Sequence, residues 1–413
     1  LNQQITVGTL TIGDTGTASG SPTLMPVIIN AGSAGGGLTI NSNAAGVSGT
    51  IAVRGGIALD YGGVTINADI ALASDVTLVG LDQNKTAPLT VNGIISDSGG
   101  SRNVTLNGGS GSQKVNLVLN GANTYSGTTS LTSGAYVSFS SIGDVGGGAS
   151  ALGAPTTAEA GTIRVGTVSA TLSARLEHSG TAAASTNRRI DLLGLPGTTI
   201  VSSASRVTLT NATPFTWSGT GVGSQILQLG NVTVNGVIGD LSGPTSVQAY
   251  GVNANLILLG LNTFTGKVGE LGTNSSGIVI KFNSIADIGQ ASALGSGTGA
   301  NADIILGGQA DKSSTLQYIG TAPAGHASNR PFVMSGTGTG GTLDASGAGP
   351  LQLSGSVYVG SGATVSNKLL TLGGTSNGSL SGAIVSATQS ITVSLAKSGA
   401  GSWTLSGANT YTG

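Results

Sequence analysis

The heptapeptide Gly-Ala-Asn-Thr-Tyr-Ser-Gly at residues 121–127 returns as Gly-Leu-Asn-Thr-Phe-Thr-Gly at 260–266 and as Gly-Ala-Asn-Thr-Tyr-Thr-Gly at 407–413. Its asparagines, Asn123, Asn262 and Asn409, stand roughly 140 residues apart. The matches spread outward from them. Upstream, LTVNGIISDSGG runs with VTVNGVIGDLSG; downstream, SIGDVGGGASALG from Ser141 runs with SIADIGQASALG from Ser284, and ARLEHSGTAAASTNRR with TLQYIGTAPAGHASNR. Three related cassettes, approximately 1–127, 128–266 and 267–413, follow one another without a linker. Repetition of this kind belongs to arrays, in which each unit buries its apolar face against its neighbours.

Inside a cassette the apolar signal is short and dense. Leu117-Val118-Leu119, Arg206-Val207-Thr208-Leu209, Val232-Thr233-Val234, Leu256-Ile257-Leu258 and Leu351-Gln352-Leu353 are β-branched or aliphatic, and each runs into Gly, Asn or Ser within a few residues. That is the period and punctuation of strands. No window carries apolar residues at helical spacing among helix formers, and 72 glycines would each cost a helix interior up to about 1 kcal/mol against alanine. Disorder is excluded by 38% hydrophobic residues, and collagen by the lack of a glycine period of three.

Among all-β arrays, successive L-x-L-x-G pieces of similar weight predict a parallel β-helix (β-solenoid): one continuous array over 1–413, with roughly 20 to 25 residues per coil and coils about 4.8 Å apart. Such a stack explains why only 8% of residues are charged, against about 25% in an average soluble domain. Equivalent positions sit above one another, so a repeated charge makes a repelling column, whereas Thr, Ser and Asn make hydrogen-bonded ladders.

Fifteen basic against sixteen acidic residues give no basic patch for nucleic acid, and no apolar run is long enough for a membrane-spanning helix. The absence of cysteine removes disulfides and thiolate metal sites. Chemistry-bearing patterns are few. Gly336, Gly338 and Gly341 match a phosphate-loop spacing without a following helix, and Gly374, Ser376 and Gly378 match a nucleophile elbow without a histidine base. His178 and His326 fall singly, on turns, as solvated or packed side chains. Arg188, Arg189 and Arg330 read as loop salt bridges or solvated groups, with a small basic loop for anionic glycans as the rival. Asp144 and Asp287 recur in S-I-x-D, where an aspartate beside glycine caps its own turn; calcium is the rival reading. In the Asn-Thr-Tyr/Phe triplet the asparagine is expected to take a left-handed corner and bond its own backbone, with the ring packed on a neighbouring coil. Trp217 and Trp403 read as apolar rungs. Neither a catalytic constellation nor a metal or cofactor site is expected.

The phrases SGAGSWTLSGANTYTG and VNLVLNGANTYSGTTSLTSGA resemble the autotransporter-associated β-strand repeat family of bacterial surface proteins. The repeat lands well on Gly121–Gly127 and Gly407–Gly413, and on Gly260–Gly266 with Leu261, Phe264 and Lys267 departing from it. The resemblance implies a right-handed parallel β-helix, export to the bacterial cell surface or exterior, and roles in adhesion or surface coating rather than catalysis.

Running from Gly413 into a second copy's LNQQITVGTLTIG reproduces the internal grammar within one residue. The leading expectation is therefore a head-to-tail homopolymer, since a heterologous contact that does not close makes a filament. Its interface would be Ile5, Val7, Leu10 and Ile12 on one side and Trp403, Leu405, Asn409 and Tyr411 on the other. A monomeric adhesin passenger is the alternative and a glycan-cleaving β-helix a third. Partners follow in the same order: the protein itself, then surface glycans.

Overall fold

The computed structural model describes residues 1–13, 27–44, 46–54, 63–80, 88–108, 116–167, 173–269, 276–307, 313–360, 363, 367–386 and 391–413. The chain divides into two units, Leu1–Val222 and Gly223–Gly413. The fold is nearly all β, with parallel strands stacked as a β-solenoid, as the strand pattern and repeats predict. The helical pieces among the described residues are a turn at Ala158–Gly161 and a 3-10 turn at Gly299–Asn301.

In the first unit one column of strands runs Thr9–Gly13, Gly49–Arg54, Val76–Val79, Val104–Asn107, Thr129–Thr132, Ile163–Thr167, Ile190–Gly194 and Phe215–Trp217, each parallel to the next. Register places Ile51, Leu78, Leu106, Leu131, Val165 and Leu192 in one inward file, all fully buried. The intervening file, Thr50, Thr77, Thr105 and Ser130, stays half-exposed. Period-two alternation thus becomes two vertical files, one apolar and one of hydroxyls. Each buried aliphatic side chain contributes about 2 kcal/mol of burial.

The second unit repeats the design. Leu227, Val247, Val268, Ile304, Phe332, Val357 and Ile384 form a fully buried file along parallel strands. A second buried file, Leu258, Phe282, Tyr318 and Ala345, stacks aromatic on aromatic, with the Phe282 and Tyr318 rings 5.8 Å apart.

Polar ladders occur where low charge predicts them. In the first unit, Asn67 Nδ2 donates to Asn30 Oδ1 (2.7 Å), Asn92 Nδ2 to Asn67 Oδ1 (2.7 Å) and Asn120 Nδ2 to Asn92 Oδ1 (2.9 Å). A carboxamide both donates and accepts, so one asparagine per coil satisfies the whole run. The coils themselves are mostly longer than expected. Thr105 pairs with Ser130 at the expected spacing, but Thr77 pairs with Thr105, Ser130 with Arg164 and Thr9 with Thr50. Between Ser130 and Arg164 the extra residues leave as a side loop while the rung pairing holds.

Of the end-rung residues named above, Ile5, Val7, Leu10, Ile12, Trp403 and Leu405 occupy the outermost described strands of their columns, and Asn409 and Tyr411 follow the last strand. Ile5 and Val7 pair with Leu38 and Ile40, Leu10 and Ile12 with Ile51 and Val53, and Trp403 and Leu405 with Gly378 and Leu380. Ile12 points into the core, whereas Ile5 and Asn409 are exposed and Val7, Leu10, Trp403, Leu405 and Tyr411 are half-buried.

Candidate functional site: two clamped loops

The cassette similarity converges on one construction, built once in each unit. Between Ser130 and its rung partner Arg164 the chain makes a side loop over 141–161, and between Val268 and Ile304 it makes the counterpart over 284–302. Each loop is fastened to the coil on one side by the heptapeptide asparagine and to the coil on the other by an Asn-Arg pair.

Asn123 is 1% exposed and Asn262 fully buried. Asn123 Oδ1 accepts from Ile95 N (2.7 Å) and its Nδ2 donates to Ala151 O (2.7 Å); Asn262 accepts from Ile238 N (2.8 Å) and donates to Ala293 O (2.7 Å). Backbone bonds to Ser150 and Ser292 complete a short antiparallel bridge at each place. The expectation of a left-handed asparagine bonding itself is overturned: the described non-glycine residues with positive φ are Asn43, Ser133, Asn231 and Asn253. Asparagine is needed here because a backbone donor below and a backbone acceptor above both require a partner, and the carboxamide is one of each. The following ring does pack across coils. Tyr125 and Phe264 are fully buried, and Gly153 (φ +81°) and Gly295 (φ +72°) lie against their ring faces, where a Cβ would come within 2.9 Å of ring carbons.

On the far side, Asp144 Oδ1 accepts from Asn187 N (2.8 Å) while Asn187 Oδ1 accepts from Val145 N (2.8 Å). Asp287 and Asn329 repeat this exchange at the same distances, through Asn329 N and Ile288 N. The aspartates therefore clamp one coil to the next rather than capping their own turns with their carboxylates. The adjoining arginines are buried, with Arg188 1% and Arg330 0% exposed. Arg188 donates from Nε to Gly161 O and from Nη1 to Leu152 O, both at 2.7 Å. Arg330 donates from Nε to Ala302 O (2.8 Å) and from Nη1 to Leu294 O (2.7 Å). Burial pulls both guanidinium pKa values down to about 10, partly offset by the Tyr125 phenol at Arg188 and by Asp303 at Arg330. Neither the salt bridge nor the solvated reading of these arginines holds: each is an internal fastener that collects carbonyls no strand can pair.

Other carboxylates do similar work. Asp97 accepts from Arg102 N, Ser126 N and Ser126 Oγ, and Asp240 from Thr245 N, Thr265 N and Thr265 Oγ1. Among the described residues no group of three or more His, Cys, Asp or Glu is placed to hold a metal ion. The phosphate-loop match is inverted in polarity: carbonyl oxygens of Gly336 and Gly338 converge on the buried Lys368 ammonium, the opposite of an anion-binding nest. Sequence reasoning missed Lys368 altogether. In the elbow match Ser376 Oγ donates to Gly347 O, on a turn between two strands. Trp403 donates from Nε1 to Gly373 O (2.8 Å) with its ring against Gly378, so it is a half-buried rung.

His178 lies in a strand rather than on a turn. It is buried, its ring 5.7 Å from Phe139 and its Nδ1 3.0 Å from Ser203 Oγ. Burial pushes its pKa below the usual 6.5, against a smaller upward pull from the Ser140 backbone. Folding therefore favours neutral imidazole, and stability is lost as pH falls from the unfolded value near 6.5 through the depressed folded value. His178→Phe, which continues the Phe139 file, is expected to flatten that part of the profile. Urea midpoints between pH 7.5 and 5 check this; parallel profiles for both proteins would contradict it. Glu177, raised by burial, acts in the opposite sense in both proteins and cancels from the difference.

No family model matches the chain, and no solved structure does. The whole of it aligns, at 32% identity over 463 positions, with a segment of the Adhesin BmaC autotransporter of Brucella suis biovar 1 (strain 1330), of which it spans 12%.

Proposed function

We propose that the chain is a segment of a bacterial cell-surface adhesin passenger, a β-solenoid that acts through the surface it displays and not through catalysis. The observation that carries this is the alignment of the entire chain with an autotransporter adhesin. The side-chain chemistry agrees with it. Asp97, Asp144, Asp240, Asp287, Arg188 and Arg330 are engaged in holding coil to coil, which leaves no convergent acid and base among them.

The head-to-tail filament draws no support from this relative. In a longer passenger, the coils adjoining Ile5–Val7 and Trp403–Leu405 come from the same polypeptide, which favours the monomeric reading.

Adhesion is tested with beads carrying the purified chain, applied to cultured cell monolayers beside beads carrying albumin. Retention several-fold above albumin is the expected result, and equal retention overturns the reading. A glycan array probed with the same protein then assigns or removes surface glycans as the bound class.

A further inference from the structure

We propose that Asn235–Gly236 is the preferred site of spontaneous deamidation in this protein, because it is the one Asn-Gly pair that the coil-to-coil bonding leaves unheld among the described residues. The sequence contains five such pairs, at Asn92, Asn107, Asn120, Asn235 and Asn377. In this reaction the amide nitrogen of the glycine attacks the asparagine Cγ. The new C–N bond closes a succinimide as the Cγ–Nδ2 bond breaks, and ammonia leaves with the amide proton. Water then opens the ring to aspartate or isoaspartate, so the net change is water in and ammonia out. Two restraints oppose the first step: a hydrogen bond that occupies the glycine N–H, and one that fixes the carboxamide away from it.

Four pairs carry at least one restraint. Gly93 N donates to Ile66 O (3.2 Å), Gly108 N to Thr132 O (3.0 Å) and Gly378 N to Ser402 O (2.8 Å). Asn92 and Asn120 are also joined in the carboxamide ladder, and Asn377 Oδ1 accepts from Ser402 Oγ (2.9 Å). Asn235 is the cassette counterpart of Asn92: LTVNG at 89–93 matches VTVNG at 232–236. The rung above it differs. Where Asn120 stands over Asn92, with Asn120 N bonded to Val91 O (2.9 Å), Leu259 stands over Asn235, with Leu259 N bonded to Val234 O (2.9 Å). Leucine cannot donate to a carboxamide, so the ladder stops. Asn235 is exposed, and among the described residues neither its side chain nor Gly236 N makes a hydrogen bond.

The test incubates the folded chain at mildly alkaline pH, with a parallel sample in urea, and follows the mass gain of amide hydrolysis in each Asn-Gly peptide. In the folded sample Asn235 is expected to convert several-fold ahead of Asn92, Asn107, Asn120 and Asn377, and in urea the rates are expected to converge. Folded-state conversion of Asn235 no faster than the other four overturns the proposal. Leu259→Asn supplies the missing rung and is expected to slow Asn235 several-fold. If that variant keeps its strand circular dichroism and Asn235 converts at the original rate, the ladder is not the protecting element.

Discussion

Asn262→Ala is expected to destabilise the second unit by about 4 kcal/mol, because it strands two buried backbone groups, Ile238 N–H and Ala293 C=O, at about 1 to 3 kcal/mol each. The urea midpoint of the variant reads this directly. Asn262→Asp separates the two halves of the interaction. Aspartate still accepts from Ile238 N, but at neutral pH it sets a carboxylate against the Ala293 carbonyl where a donor is required. At pH 7 it should be worse than alanine. It should recover toward wild type as the pH is lowered, since a protonated carboxyl donates again. A variant whose loss is no greater than about 1 kcal/mol, the scale of an exposed hydrogen bond, would mean that the heptapeptide asparagine is not a structural tie.

The second large effect is expected at the buried arginines. Arg188→Ala removes two charge-assisted bonds, to Gly161 O and Leu152 O, and opens a cavity the size of a long side chain. Relief from burying an unpaired cation offsets part of this, leaving a net cost of about 3 kcal/mol. Arg188→Met keeps most of the volume and removes the charge, so the two variants divide packing from hydrogen bonding. The local readout is proteolysis at the exposed Gly146–Gly148 segment, which should be cut faster in both variants. An unchanged digestion rate would show that the loop is held without the guanidinium.

What the sequence disclosed follows from what repeats at short range. Val232-Thr233-Val234 and Leu117-Val118-Leu119 alternate at the strand period, so their inward and outward faces were legible before any coordinates. The cassette match at Ser141 and Ser284, and again at Asn187 and Asn329, also marked the clamped loops. What it did not reveal is that these two matches touch each other, because the partners lie some forty residues apart on different coils. The ordinary tendency of charged groups places Arg188 and Arg330 at the surface, yet a charge returning at one cassette position in so weakly charged a chain is the available clue to their burial. Lys368 has no counterpart in another cassette and left no such trace. Coil length is hidden for a related reason: side loops such as 141–161 and 284–302 add residues without adding a rung, so spacing along the chain is a poor ruler for height along the stack.

Every fastener in the two loops ends on a coil immediately below or above the one that carries it. Asn123 reaches back to Ile95 and forward to Ala151, and Arg188 returns to Leu152 and Gly161. The joinery is therefore local: the heptapeptide asparagines tie one cassette to the next, Asn123 to Ala151 and Asn262 to Ala293, and nothing is asked of distant parts of the chain. Genes encoding such a protein can gain or lose whole cassettes by unequal recombination, and the products stay foldable at each copy number, provided the break falls between one set of ties and the next.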